Sequence, residues 1–278
     1  MLIHDIVKIL TDAGIEPNEA NIEVKMLIEH FAGYGVADII MGKKLSDEKL
    51  KIVEQKAKLR ASTRKPIQYI IGEANFMGEK FLVNPSVLIP RDETELLVRK
   101  AVNIINDTNL EKVLDMCTGS GCIACMVAKL TKATVIGADI SFDALETAIK
   151  NMENLGLYNR ALFRKSDLFS MIRDDEKFDI IISNPPYIPA NQKNSIQKEV
   201  TFEPDIALYT KDDNGLEFYE KIIKDAPKYL KENGYLLFEL GLGESNAVKD
   251  LLEQNGFTCQ EIVKDLAGID RVISARIK

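Results

Sequence analysis

The stretch Val113-Leu114-Asp115-Met116-Cys117-Thr118-Gly119-Ser120-Gly121 decides the fold. A short apolar run passes into a glycine-rich turn, and the apolar helix pattern Cys122-Ile123-Ala124-Cys125-Met126-Val127-Ala128 follows. A buried strand that feeds a helix through such a turn is the opening unit of a parallel sheet. Gly119 and Gly121 permit unusual φ and close backbone approach. The alternation continues downstream. Strands are expected at Lys112–Cys117, Thr134–Ile140, Ala161–Ser166, Phe178–Ser183, Tyr235–Leu240, Cys259–Val263 and Arg271–Ile277. Helices fit at Glu93–Asn106, Cys122–Leu130, Ser141–Leu155, Gly215–Lys231 and Ser245–Asn255. Apolar strands alternating with helices imply an α/β, doubly wound, mostly parallel seven-stranded sheet covered on both faces. Only Asp265–Asp270 separates the last two strands, so they should pair antiparallel through a loop.

Upstream the pattern is different. Ile3, Ile6, Val7 and Leu10 recur at helical spacing, and Glu23–His30 and Glu48–Leu59 repeat it between Gly33, Gly35 and Gly42. Ser46 is a candidate N-cap. Residues 1–72 therefore read as a small all-helical domain, 73–90 as a hairpin linker and 91–278 as the α/β domain. The segment 43–65 holds nine Lys/Arg against three Asp/Glu, either a solvated helix face or a contact surface for an acidic or nucleic-acid partner.

With 278 residues, 46% apolar and 28% charged, the chain has the balance of a globular protein with a substantial core. No apolar run approaches the ~18 residues of a membrane helix. Asp5 and Lys8 interrupt the N-terminal apolar residues too early for a signal peptide, so a cytoplasmic protein without a membrane partner is expected. The net charge of −7 argues against broad phosphate binding. His4 and His30 both precede every motif. Cys117, Cys122, Cys125 and Cys259 offer iron–sulfur spacing. However, Cys122 and Cys125 fall inside an apolar helix pattern rather than on a wrapping loop, so buried thiols and no metal are expected.

Three carboxylates end consecutive strands. Asp115 precedes the glycine turn, Asp139 follows about 24 positions on, and Asp167 ends the third strand. A carboxylate at the end of the second strand can accept bonds from ribose hydroxyls; Asp167 could hold an adenine amino group. A dinucleotide would require pyrophosphate over the turn, for which G-x-G without a third glycine (Ala124 stands there) is weak support. Asp115 repels pyrophosphate but suits a cationic ligand with an α-amino group, such as S-adenosylmethionine.

Asn184-Pro185-Pro186-Tyr187 closes the strand Phe178–Ser183. Two prolines fix φ and remove two N–H donors while keeping their carbonyls. With the Asn184 side-chain carbonyl and the flat Tyr187 ring, this forms a rigid acceptor site suited to an –NH2 group.

With these residues in place the chain resembles the class I S-adenosylmethionine-dependent methyltransferases. More closely, it resembles the bacterial release-factor glutamine N5-methyltransferases, the HemK/PrmC family. Val87-Leu88-Ile89-Pro90-Arg91-Asp92-Glu93-Thr94-Glu95 is similar to that family's LIPRPETE segment, with Asp92 in place of proline. Cys117 stands where GTGSG has its first glycine. This exchange is expected to matter little, because the two later glycines cradle the ligand. Glu199-Val200, Phe202–Leu208 and Asp265–Val272 match further family runs.

The resemblance implies an enzyme that moves a methyl group from S-adenosylmethionine, leaving S-adenosylhomocysteine, to a glutamine side-chain amide. It implies class I peptide chain release factors, through their Gly-Gly-Gln glutamine, as the protein partner, and no direct nucleic-acid substrate. The implied cofactor site comprises Asp115, Cys117, Thr118, Gly119, Ser120, Gly121, Asp139, Ile140, Asp167, Leu168 and Asn184. The implied catalytic residues are Asn184, Pro185 and Tyr187. Pro186, Arg91, Glu93, Thr94, Glu199 and Glu203 join them at the substrate, with the long polar 188–214 loop as its entrance. Rival readings are a ribosomal-protein glutamine methyltransferase, an adenine-N6 methyltransferase on nucleic acid and a dinucleotide oxidoreductase.

Overall fold

The computed structural model describes residues 3–35, 37–38 and 41–277. The chain forms two compact units. The first comprises the described residues up to Glu73 together with Gln197–Phe202; the second comprises Ala74–Ile196 and the described residues from Glu203 on.

The first unit is helical: Ile3–Asp12, Pro17–Leu27 continuing as a π-turn over Ile28–Ala32, Asp47–Thr63 and the short Ile67–Ile71. Ile6, Leu10, Val24, Leu27, Val53 and Ala57 pack as its core. Ser46 caps Asp47–Thr63, its Oγ accepting from Lys49 N at 3.4 Å. Much of the basic segment is engaged within the unit. Lys43 and Lys49 lie over the Tyr34 ring at 4.8 and 4.7 Å, and Lys56 lies over Phe31 at 4.8 Å. Lys58 pairs with Glu54.

Arg60 is only 1% exposed. Its guanidinium binds Glu23 at 2.9 Å and Glu199 at 2.9 Å, and Arg64 adds a second bond to Glu199 at 2.6 Å. Breaking a buried pair by removing one partner strands the other charge. Arg60→Leu is therefore expected to destabilise this unit by about 3–5 kcal/mol. Thermal unfolding checks it, and an unchanged midpoint would rule the cluster out as a stability determinant.

The second unit opens with a hairpin, β1 (Glu73–Phe76) and β2 (Glu79–Leu82). Its sheet contains β3 (Lys112–Met116), β4 (Thr134–Asp139), β5 (Ala161–Lys165), β6 (Phe178–Ser183), β9 (Leu230–Glu239), β10 (Phe257–Lys264) and β11 (Asp270–Ile277). The order is β10-β11-β9-β6-β3-β4-β5. Neighbours from β9 to β5 run parallel, and β11 is antiparallel to both β9 and β10.

Strand periodicity divides the core in two. Val113, Ile180, Ile182 and Leu237 face one cluster, which takes in the helices Thr94–Thr108 and Cys122–Leu130. Leu114, Ile181, Leu236 and Phe238 face the other, with Glu217–Asp225 and Ser245–Gln254. Cys122 and Cys125 are buried in the first cluster, where burial pushes the Cys122 thiol up to about 12.

The 188–214 segment is less irregular than its polarity suggests. It carries a parallel pair, β7 (Ile188–Pro189) and β8 (Tyr209–Thr210), 3-10 turns at Ala190–Ser195 and Val200–Phe202, and a helical turn at Asp205–Leu208.

Candidate active site

The chain runs from β3 outward through β4 to β5, then returns to lay β6 on the other side of β3. That reversal opens a crevice beyond the carboxyl ends of β3 and β6, where open α/β sheets bind ligands. Met116 pairs with Ser183, and Ser183 Oγ donates to Met116 O at 2.7 Å. The glycine turn and Asn184 are therefore adjacent, although 60-odd residues of chain separate them.

A cleft of about 430 Å3 occupies this crevice. Its floor is Cys117–Ser120 after β3, Asp139 and Ile140 after β4, Ser166–Leu168 after β5, and Asn184 and Pro186 after β6. Leu88, Pro90 and Thr94 form one wall; Ile206, Tyr209 and Phe218 contribute to the other. Gly119 has φ +54, and a Cβ there would meet no heavy atom within 4 Å, so the backbone borders open space. Gly121, with φ +78, faces the opposite constraint: its Cβ would stand 2.9 Å from Ala148 and Phe163. It allows the helix Cys122–Leu130 to start against the helix Phe142–Asn154. Cys117 departs from expectation. Its φ is 61, the left-handed region, so the non-glycine residue there carries strain of about 1–2 kcal/mol.

Asp139 Oδ2 accepts from Gly119 N at 2.8 Å and Oδ1 from Ser141 N at 2.9 Å. Burial raises its pKa, against the pull of those N–H groups. Each oxygen keeps acceptor capacity for a ligand hydroxyl, and Asp139 lines the cleft. Asp115 is fully buried beneath the turn rather than on the cleft surface. Its Oδ2 accepts from the Thr118 hydroxyl and from Ala124 N at 3.1 Å, whereas Oδ1 has no partner. Burial pushes its pKa to about 7, and a nearby cation would return it to the ionised form. An orphaned carboxylate oxygen under the turn and a second carboxylate at its rim fit a cationic amino-acid sulfonium. The same pair opposes pyrophosphate, which disfavours a dinucleotide.

Asn184 Nδ2 donates to Thr94 Oγ1 at 3.3 Å. Among the described residues nothing donates to Asn184 Oδ1. Pro185 and Pro186 are both buried, and only Pro186 lines the cleft. Tyr187 does not line the cleft; it packs against the second core cluster, and burial raises its hydroxyl pKa. The expectation that it touches the acceptor amide finds no support in this packing.

Arg91, Glu93, Glu199 and Glu203 also lie off the cleft surface. Glu203 is 4% exposed and accepts from Arg91 Nη2 and from Ile89 N at 3.0 Å. It ties the wall at Leu88–Pro90 to the segment bearing Ile206. Glu199 is held by Arg60 and Arg64 within the first unit, and Glu93 approaches Arg271 at 3.9 Å. These charges are spent on holding chain segments, because a buried carboxylate is stable only with its partners in place. Ile206, Tyr209 and Phe218 were not assigned to the site from sequence; for Ile206 and Tyr209, apolar residues in a polar segment were the only signal, and Phe218 sits on the helix Glu217–Asp225.

Known proteins resemble the chain in sequence and in fold. Residues 107–270 match the family described as Methyltransferase domain, and residues 2–72 match the PrmC N-terminal domain. Among solved structures, the hMettl16 catalytic domain in complex with MAT2A 3'UTR hairpin 1 has a TM-score of 0.58 at 19% identity, covering 80% of each chain. At that identity the likeness bears on fold alone. Sheet order, switch-point turn and strand-end carboxylates define a class I S-adenosylmethionine-dependent methyltransferase.

The release factor glutamine methyltransferase of Geobacter sulfurreducens is 38% identical over 272 residues, covering 96% of this chain and 93% of that protein. That of Neisseria gonorrhoeae is 40% identical over 258 residues, covering 90% and 91%. The chain belongs to the release factor glutamine methyltransferase family.

Proposed function

We propose that the protein methylates the side-chain amide nitrogen of a glutamine, the Gly-Gly-Gln glutamine of class I peptide chain release factors. The observation that carries the reading is Asn184. Its Nδ2 is committed to Thr94, which leaves Oδ1 as an acceptor in the cleft that Asp139 and Gly119 share.

S-adenosylmethionine supplies an electrophilic methyl group on a sulfonium when bound. Asp139 would hold its ribose hydroxyls, Ile140 and Leu168 would flank its base beside Asp167, and Asp115 with the Cys117–Gly121 turn would hold its amino-acid end. An amide nitrogen is a poor nucleophile because its lone pair is delocalised into the carbonyl. Asn184 Oδ1 and the Pro185 carbonyl would accept its two N–H bonds, raise its electron density and aim it. Positioning of this kind supplies on the order of 7–11 kcal/mol of a barrier. The amide proton becomes acidic only as the N–C bond forms, so it can leave to solvent without a strong base beforehand. Pro186 and Thr94 would shape the slot, and Tyr187 would stiffen the turn from behind.

The helical region 1–72 would recognise the body of the release factor, with 73–90 as linker and 91–278 as the catalytic domain. Among the described residues no helix is long and apolar enough to cross a membrane. A cytoplasmic site of action follows from the translation factor proposed as substrate.

Incubation with labelled S-adenosylmethionine and purified release factor, ribosomal proteins and nucleic acid, followed by mapping of the label, tests the reading. Label on the Gly-Gly-Gln glutamine is expected. Label confined to a ribosomal protein or to adenine would overturn it.

A further inference from the structure

Asn151, on the helix Phe142–Asn154, is completely buried. Asparagine is a poor helix former because its amide competes for backbone groups, and a buried amide requires partners. Asn151 finds them on two other elements. Its Nδ2 donates to Leu82 O at 3.1 Å and to Ser120 O at 2.9 Å, and its Oδ1 accepts from Leu82 N at 2.6 Å. Both hydrogens of the NH2 group are thereby used. Leu82 ends β2, and Ser120 lies in the floor of the cleft between Gly119 and Gly121.

The Ser120 bond falls where the cofactor turn is least stiff. Gly119 and Gly121 both have positive φ, and glycine resists backbone rotation least. The peptide that joins Ser120 to Gly121 is held at its two ends. Gly121 N donates to Thr118 O at 2.9 Å, and the Ser120 carbonyl accepts from Asn151. Ala148, three residues before Asn151 on the same face of the helix, closes the space behind Gly121.

The Leu82 bonds lead to the other side of the cleft. One turn earlier on the helix, Thr147 Oγ1 accepts from Asn84 Nδ2 at 2.9 Å. The chain that leaves β2 is thus fastened twice before it reaches Leu88, Pro90 and Thr94 in the cleft wall. Thr94 in turn holds Asn184. We propose that Asn151 is a positioning residue that fixes the Ser120–Gly121 peptide under the cofactor and ties it, through Leu82, to the segment that forms the acceptor wall. The acceptor half of this role rests on the function proposed above. The coupling is reciprocal, so a cofactor that stiffens the turn also stiffens the end of β2.

The test is amide-resolved hydrogen exchange on the full chain with and without saturating S-adenosylmethionine, beside calorimetry and single-turnover methylation of release factor. In the wild type the cofactor is expected to slow exchange at Leu82 as well as at Gly121, by about fivefold or more. Asn151→Asp keeps the size and the acceptor for Leu82 N but, when ionised, removes both donors. It should weaken cofactor affinity about tenfold. Leu82 should then respond less than about twofold, while Gly121 still slows at saturation. Thr147→Val releases Asn84 alone; it should lower kcat roughly tenfold and leave cofactor affinity within about threefold. Leu82 exchange that ignores the cofactor in the wild type overturns the proposal. So does an Asn151→Asp protein that melts lower yet keeps wild-type affinity and the Leu82 response, the mark of a merely structural role. Wild-type kcat in Thr147→Val overturns the tie to the acceptor wall. Should Asn151→Asp not fold, the wild-type exchange and Thr147→Val decide. If the wild type binds cofactor but methylates no glutamine, the functional reading fails, and the exchange data still decide the role of Asn151 at the turn.

Discussion

Asn184→Ala is expected to abolish methyl transfer while leaving the affinity for S-adenosylmethionine within a few-fold. The substitution removes a cleft-lining acceptor whose amide nitrogen is held by the Thr94 hydroxyl at 3.3 Å. Loss of a single preorganised group of this kind costs about 10²–10³ in rate, or ~3–4 kcal/mol. Here the same loss also releases the aim of a delocalised nitrogen lone pair, so a fall of roughly 10³ or more in kcat is expected. Ground-state cofactor binding rests on other strand ends and should change little. Single-turnover transfer to release factor, beside calorimetry with cofactor alone, separates the two effects. Near wild-type turnover would remove Asn184 from the mechanism, and an equal loss of cofactor affinity would reassign it to the cofactor.

Asp139→Ala should do the reverse, weakening cofactor binding first. Its two oxygens already accept from Gly119 N and Ser141 N at 2.8 and 2.9 Å, each keeps further acceptor capacity, and Asp139 lines the cleft. Hydrogen bonds to a charged group contribute about 1.5–3 kcal/mol each. Losing two ribose contacts therefore predicts a Kd increase of about 100-fold or more. The glycine turn also loses the bond that fixes Gly119. Asp139→Asn keeps one acceptor oxygen and should fall between wild type and alanine. Calorimetry on folded protein reads the difference, and a shift below threefold would take the ribose away from Asp139.

Both predictions concern residues that a strand-end reading could find. Thr118–Gly121 and Asn184–Tyr187 each follow an apolar run of β-spacing, and local propensity is enough to put a strand before them and a turn after. The boundaries agree for the same reason: Phe178–Ser183 and Cys122–Leu130 form as expected. β9 begins at Leu230 rather than Tyr235, and the helix expected to reach Lys231 ends at Asp225, because Leu230 pairs with Phe178 of β6 before the register shifts and Tyr235 meets Ile180. Glu199 and Glu203 were harder to read. As exposed loop carboxylates they look like substrate ligands, yet their partners, Arg60 and Arg91, lie 139 and 112 residues away. Nothing within a loop's own sequence reports a contact at that range. The strain at Cys117 was equally hidden, since a backbone torsion is set by the turn as assembled.

What the sequence determined by itself is the order of strands and helices, the glycine turn and the Asn-Pro-Pro-Tyr acceptor, because these depend on neighbours along the chain. The tertiary structure decided which of the chemically able residues meet. It buried Asp115 with one oxygen unpartnered, drew Glu199 and Glu203 into ion pairs and brought Thr94 to the Asn184 amide from a separate element. The physical reason is desolvation: a charge or amide taken out of water must find its partner across the fold, and that partner sets what the group can do.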